Sequence, residues 1–168
     1  TFKNMTIKEI EEELLVEYKG LKFGYIESFR ILMDALLLSG IGMSLIRSSN
    51  SASQGEHMIV HAMDEINNTP YFHGEKIGVT SLTMTFIQKN ILSKKPVLRS
   101  LNKFNKLQVD TINNKIENLW CQISETIKSL ILKDGLLENA LKYLGAPYKI
   151  SHVGWNDFEY NRGLMLAP

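Results

Sequence analysis

The run Gly55-Glu56-His57-Met58-Ile59-Val60-His61-Ala62-Met63-Asp64-Glu65-Ile66, then Asn67-Asn68-Thr69-Pro70, then His73-Gly74-Glu75-Lys76-Ile77-Gly78, reads as two helices separated by a turn. His57 and His61 are one helical turn apart, so in a helix both imidazoles leave the same face. The Asn-Asn-Thr-Pro segment ends one helix and starts another, because Pro removes a backbone donor and disfavours the helical conformation of the residue before it. Two antiparallel helices joined by that turn would bring His73 back beside His57 or His61. Such an arrangement is half of a metal site.

Working outward, the same helical period recurs on both sides. Toward the N-terminus, Thr6-Ile7-Lys8-Glu9 has the form of a capping box, and Ile7, Ile10, Leu14 and Leu15 follow at helical spacing, so a helix is expected over 7–18. Gly20 and Gly24 separate it from a second helix over 25–46 that is apolar nearly all round and is expected to form the core of the domain. Gly40 and Gly42 weaken its middle and offer a place for another backbone to approach. Ser48 to Gln54 is small and polar, a loop.

Toward the C-terminus, the helix starting at His73 carries Ile77, Val79, Leu82, Met84 and Ile87 and is expected to reach Ile91. Ser93 to Pro96 makes a turn. Val109, Ile112, Ile116, Leu119, Trp120, Ile123, Ile127 and Leu130 mark an amphipathic helix over 109–132, and a shorter one over 136–144 stops at Gly145-Ala146-Pro147. Few stretches alternate with period two, so the expected architecture is a single all-α helical bundle over residues 1–168, with no parallel nucleotide-binding sheet.

Composition limits the function classes. At 168 residues the chain has the size of one domain. A single Cys, Cys121, excludes an internal disulfide framework and fits a reducing compartment. Nineteen Lys and Arg against eighteen Asp and Glu give no global attraction to nucleic acid or to an anionic membrane. The apolar stretch from Ile31 to Ile46 is interrupted by Asp34, Ser39, Gly40 and Ser44, which favours a buried helix over a membrane span. No cationic start followed by an apolar run marks a signal peptide, and a soluble, cytoplasmic chain is expected. Gly-rich phosphate loops, a nucleophile elbow and fixed-period repeats are all missing from the sequence.

An isolated pair of histidines four residues apart is more often two satisfied or solvated imidazoles than a ligand pair. The third, His73, opening a helix after a turn, shifts the balance, because a divalent metal held by neutral imidazoles needs ligands converging from separate elements. Glu56 is expected to point to a different face from His57. Asp64 and Glu75 are close in sequence, but Glu75 in the first turn of its helix has a structural role there, complementing the helix dipole.

The series Leu38-Ser39-Gly40-Ile41-Gly42-Met43, Ser48-Ser49, Ala52-Ser53, Glu56-His57, His61-Ala62 and His73-Gly74-Glu75-Lys76-Ile77-Gly78-Val79 resembles the C-terminal helical domain of sn-glycerol-1-phosphate dehydrogenases. These belong to the superfamily of iron-containing alcohol dehydrogenases, glycerol dehydrogenases and dehydroquinate synthases. The resemblance implies that His57 and His73 are metal ligands for zinc (or ferrous iron or nickel) and that His61 lies at the substrate as a catalytic residue. Ser49, Ser51 and Ser53, with the free amides opening the His57 helix, are expected to receive the phosphate of a polyol phosphate, because helix N-termini attract anions. In the family a carboxylate from an earlier helix completes the site, and NAD or NADP is held by a preceding nucleotide-binding domain. This sequence is expected to begin after that domain and its carboxylate, and Gly163 to Pro168 looks like the approach to a final Arg-containing segment. By this resemblance the chain is the metal- and substrate-binding domain of an NAD(P)-dependent oxidoreductase, inactive alone. Two alternatives stay open: a non-catalytic helical remnant that forms a homo-oligomer or binds a partner such as the N-terminal domain, and a dehydroquinate synthase-like lyase domain.

Overall fold

A computed structural model describes residues 7–49, 54–93, 97, 105–130 and 135–167. It contains α1 (Ile7–Lys22), α2 (Ile26–Ile46), α3 (Gly55–Ile66), α4 (His73–Ser93), α5 (Lys106–Leu130), α6 (Leu136–Leu144) and α7 (Asp157–Leu166), with a 3-10 turn at Ile150–Val153 before α7. Among the described residues there is no strand, so the fold class is all-α. Two compact units form: Thr1–Thr83 with Asp134–Pro168, and Met84–Lys133. The capping box at Thr6 lies outside the described residues.

In the first unit α1 packs against α2 and α6, and α3 packs against α7. Helix α1 does not stop at Tyr18 but runs through Gly20 to Lys22. Gly20 is there because the helices close on it: a Cβ at this position would overlap the Ser28 hydroxyl and come within 3.1 Å of the Tyr25 ring. The turn that follows needs a left-handed residue, supplied by Gly24 at φ 73°. Around α3 the core consists of Val60 and Met63, both fully buried, with Val153, Trp155 and Tyr160 from the C-terminal segment.

That C-terminal segment carries a helix the periodicity did not indicate. Asn156 caps α7 by accepting from the Glu159 N–H at 2.9 Å, while the Glu159 carboxylate returns to the Asn156 N–H, a reciprocal capping box. The Glu159 carboxylate also accepts from the Asn67 side chain at 3.0 Å, and Trp155 donates to the Asn67 carbonyl at 3.3 Å. The turn after α3 is thereby anchored to the start of α7. Inside, the hydroxyls of Thr83 and Tyr160 lie 2.7 Å apart, and burial pushes the Tyr160 phenol above its ordinary pKa, with the Thr83 bond drawing it partly back.

The second unit contains α5, which starts three residues before Val109. Asn105 and Gln108 cap it reciprocally at 2.9 Å each. Cys121 on this helix is exposed.

Helix α2 forms where the sequence placed it, but it is not the core. Only Ser28 and Ile31 along it are buried, whereas Met33, Leu36, Leu37, Ile41, Leu45 and Ile46 are each about half or more exposed. Composition gives the gain available from burying these side chains but not the surface that buries them, and within its unit only the stripe toward α1 is covered. By length and composition alone α2, 21 residues long, is apolar enough to cross a membrane, with a mean hydropathy of 1.7 over an 18-residue window. Gly40 likewise meets no neighbour: a Cβ there would have nothing within 4 Å.

Candidate metal and substrate site

Helix α3 carries His57, His61 and Asp64 within about 60° of one another around its axis, and α4 carries His73 and Lys76 within a similar arc. These two faces meet. The His57 and His73 ring centroids are 5.3 Å apart, and those of His61 and His73 are 6.1 Å apart. His57 is half-buried, while His61 and His73 are exposed. The meeting does not come from an antiparallel hairpin, as the sequence suggested. His73 lies against His57 and His61 while Lys76 lies against Asp64 and Asn68, the same order along both segments; an antiparallel pair would reverse it. Backbone packing follows suit, for α3 lies along α7 and not along α4.

Around His57 the sequence reading is corrected at one residue. Glu56 does not turn away: its carboxylate lies 3.0 Å from His57 Nδ1 and also accepts the Gln54 N–H at 2.9 Å. Both residues sit in the first turn of α3, where a glutamate folds back on the open amides and so reaches across the angular gap to its neighbour. Partial burial raises the Glu56 carboxyl, but bonds from the Gln54 and Glu56 amides and from His57 outweigh it and leave the group below the usual carboxylate range. With Nδ1 occupied, His57 presents Nε2 to a ligand. A carboxylate behind an imidazole is the arrangement that orients metal-binding histidines. The Gln54 and Glu56 amides are therefore taken up by this carboxylate.

The other carboxylates are engaged. Glu75 accepts the Phe72 N–H at 2.9 Å, the structural role expected of it. Asp64 accepts from Lys76 Nζ at 2.6 Å, and Lys76 also donates to Asn68 at 3.2 Å. Lys76 is 3% exposed, the most deeply buried charged side chain near the histidines, and sequence reasoning passed over it. Its signal was angular: Asp64 and Lys76 each lie one turn beyond a histidine on the same face.

The fit to a metal is that of two ligands. Imidazoles bound to one tetrahedral zinc, with metal–nitrogen bonds of about 2.0–2.1 Å, have centroids roughly 5 Å apart. His57 and His73 match that separation, and His61 is wider. Among the described residues no group of three or more His, Cys, Asp or Glu side chains is arranged to hold a metal. Ser49 is exposed at the end of the segment after α2, whereas Ser51 and Ser53 lie outside the described residues.

No protein-family model matches the chain, and no solved structure matches it. Among proteins of known activity, it is 34% identical over 124 residues to a glycerol-1-phosphate dehydrogenase (NAD(P)+) of Thermococcus sibiricus, covering 68% of this chain and 34% of that protein. It is 42% identical over 60 residues to the enzyme of that name from Methanococcoides burtonii, covering 36% of this chain and 17% of that one. A third, from Natronomonas pharaonis, is 35% identical over 82 residues, covering 48% of this chain and 23% of its own length. The chain therefore spans about a third or less of the length of these relatives.

Proposed function

We propose that this chain, which is glycerol-1-phosphate dehydrogenase-like, contributes the metal- and substrate-binding histidines of an NAD(P)-dependent oxidoreductase acting on a polyol phosphate, in a cytoplasmic setting. The observation that carries the reading is the His57–His73 ring separation of 5.3 Å, with the Glu56 carboxylate behind His57. In it, His57 and His73 hold a zinc ion (or iron or nickel), His61 at their edge contacts the substrate, and Ser49 and Ser53 receive its phosphate. When bound, a divalent metal lowers the pKa of a coordinated hydroxyl and so favours hydride loss from the adjacent carbon to the nicotinamide.

This chain's own residues prepare the site. Glu56 fixes the His57 tautomer so that a neutral nitrogen faces outward. The exposed edges of His61 and His73 leave the substrate room to enter. The third ligand and the nicotinamide site come, in this reading, from a nucleotide-binding partner domain. The test is to supply the nucleotide-binding portion of the Thermococcus sibiricus relative and follow NAD(P)+ reduction with glycerol 1-phosphate. Activity with the wild-type chain that disappears with His73→Ala is expected. Equal rates with both would sink the catalytic assignment.

A second reading rests on α2. Its exposed apolar face, from Met33 to Ile46, is expensive to leave in water and favours association, with a second copy or with the partner domain. Light scattering decides it: a species of twice the monomer mass supports self-association, and a stable monomer at high concentration opposes it.

A further inference from the structure

We infer that Lys76 is a positioning residue for the histidine cluster: its buried ammonium, clamped by Asp64 and Asn68, sets the face of α4 that meets α3 and so holds His73 against His57. The inference rests on the reading of those histidines as a site. A lysine left only 3% exposed gives up most of its hydration, and an ion pair with a partly exposed aspartate does little more than offset that loss. Net stability is therefore a poor account of the residue. Direction is a better one.

The two helices do not pack along each other, so their relative rotation is not set by interlocking backbone ridges. Side chains set it instead. Asp64 shares its face of α3 with His57 and His61, and Lys76 follows His73 by one turn on α4. Drawing Lys76 Nζ to 2.6 Å from Asp64 then leaves His73 no face to present other than the one toward His57. The second bond, 3.2 Å to Asn68, ties the same ammonium to the turn between the helices, and that turn is itself fixed through Asn67 to Glu159 and Trp155. The clamp thus connects the α7 cap to the histidine face in one chain of polar contacts.

Lys76→Met keeps the length and volume of the side chain while removing its charge; it leaves Asp64 without its cationic partner, a loss softened by the 31% exposure of that carboxylate to water. Two readouts are taken on the full chain: the imidazole-to-imidazole nuclear Overhauser effect between His57 and His73, and a cobalt(II) titration followed by visible absorption. In Lys76→Met the ring contact is expected to vanish and cobalt affinity to fall about tenfold, with unchanged helical circular dichroism, and Lys76→Arg is expected to restore both. A ring contact that persists in Lys76→Met, or one missing from the wild type, overturns the inference. Wild-type protein that shows the ring contact but binds no cobalt sinks the metal reading while leaving the Lys76 result to stand on the contact alone. If Lys76→Met loses its helical signal, the apolar pair Lys76→Met with Asp64→Leu replaces it, since exchanging both partners leaves no unpaired charge, and it is judged by the same two outcomes for the ring contact.

Discussion

Gly163 on α7 faces Met63 on α3, and the consequence of filling that contact follows from the distances. A Cβ at Gly163 would overlap the Met63 sulfur and come 3.1 Å from its Cγ, while Ile66 stands 3.8 Å away. Met63 is fully buried, so it has no solvent side to move into. Alanine gains about 1 kcal/mol over glycine in a helix interior. Overpacking a filled core costs about 1–3 kcal/mol. The second effect wins, and Gly163→Ala is expected to destabilise by roughly 1 kcal/mol, a fall of about 2–4 °C in Tm for a chain of this size. In a Met63→Ala background, itself about 2–5 kcal/mol less stable, the obstruction is gone and the same Gly163→Ala change should stabilise. Urea unfolding followed by Trp155 fluorescence, with Trp120→Phe to silence the other unit, measures all four corners of the cycle. A Gly163→Ala effect of the same sign in both backgrounds would refute the packing argument.

Three further outcomes follow from particular contacts. Asn156→Ala removes the α7 cap and should cost about 1 kcal/mol, with faster amide exchange at Glu159 as the local signature. Tyr160→Phe leaves the Thr83 hydroxyl without its 2.7 Å partner and should cost about 1–2 kcal/mol at neutral pH. Because the folded Tyr160 pKa is raised, its contribution is complete below the unfolded value near 10 and is lost as pH rises through the folded one, so the gap between wild type and Tyr160→Phe should narrow in alkali. Glu56 has the opposite sign. Its folded pKa is depressed, so its contribution is present above the ordinary value near 4.3 and fades as pH falls through the folded one. Melting curves of wild type and Glu56→Gln should accordingly run parallel from pH 5 to 7, taken as roughly the range above that value, and converge below it.

How far the sequence carried the reading depended on which physical signal each element used. Helices α3 to α6 were legible because their apolar residues recur at a helical period and their ends carry turn residues such as Asn67, Pro70 and Gly145. Helix α7 was not, since its interior mixes Tyr160, Asn161, Arg162 and Gly163 without a stripe. Its one clear mark is the Asn156-to-Glu159 cap. For α2 the sequence identified the element and misplaced it, because an apolar helix and a buried helix are the same string of letters. The histidine meeting was legible from spacing, but the geometry that makes it was not: an antiparallel hairpin was the simplest way to join two helices, whereas the structure uses the Lys76 clamp and the Glu159 anchor. Glu56 was missed because angular position on a helix says where Cβ points and not where a flexible carboxylate ends.

The reading of His57 and His73 as two ligands of one metal is tested most directly by calorimetric titration of zinc into the chain, beside His57→Ala, His73→Ala and Glu56→Gln. The expected result is one site in the wild type, abolished by either alanine substitution and weakened about 10- to 100-fold by Glu56→Gln. Zinc binding that survives both His57→Ala and His73→Ala, or no binding by the wild-type chain, would contradict it.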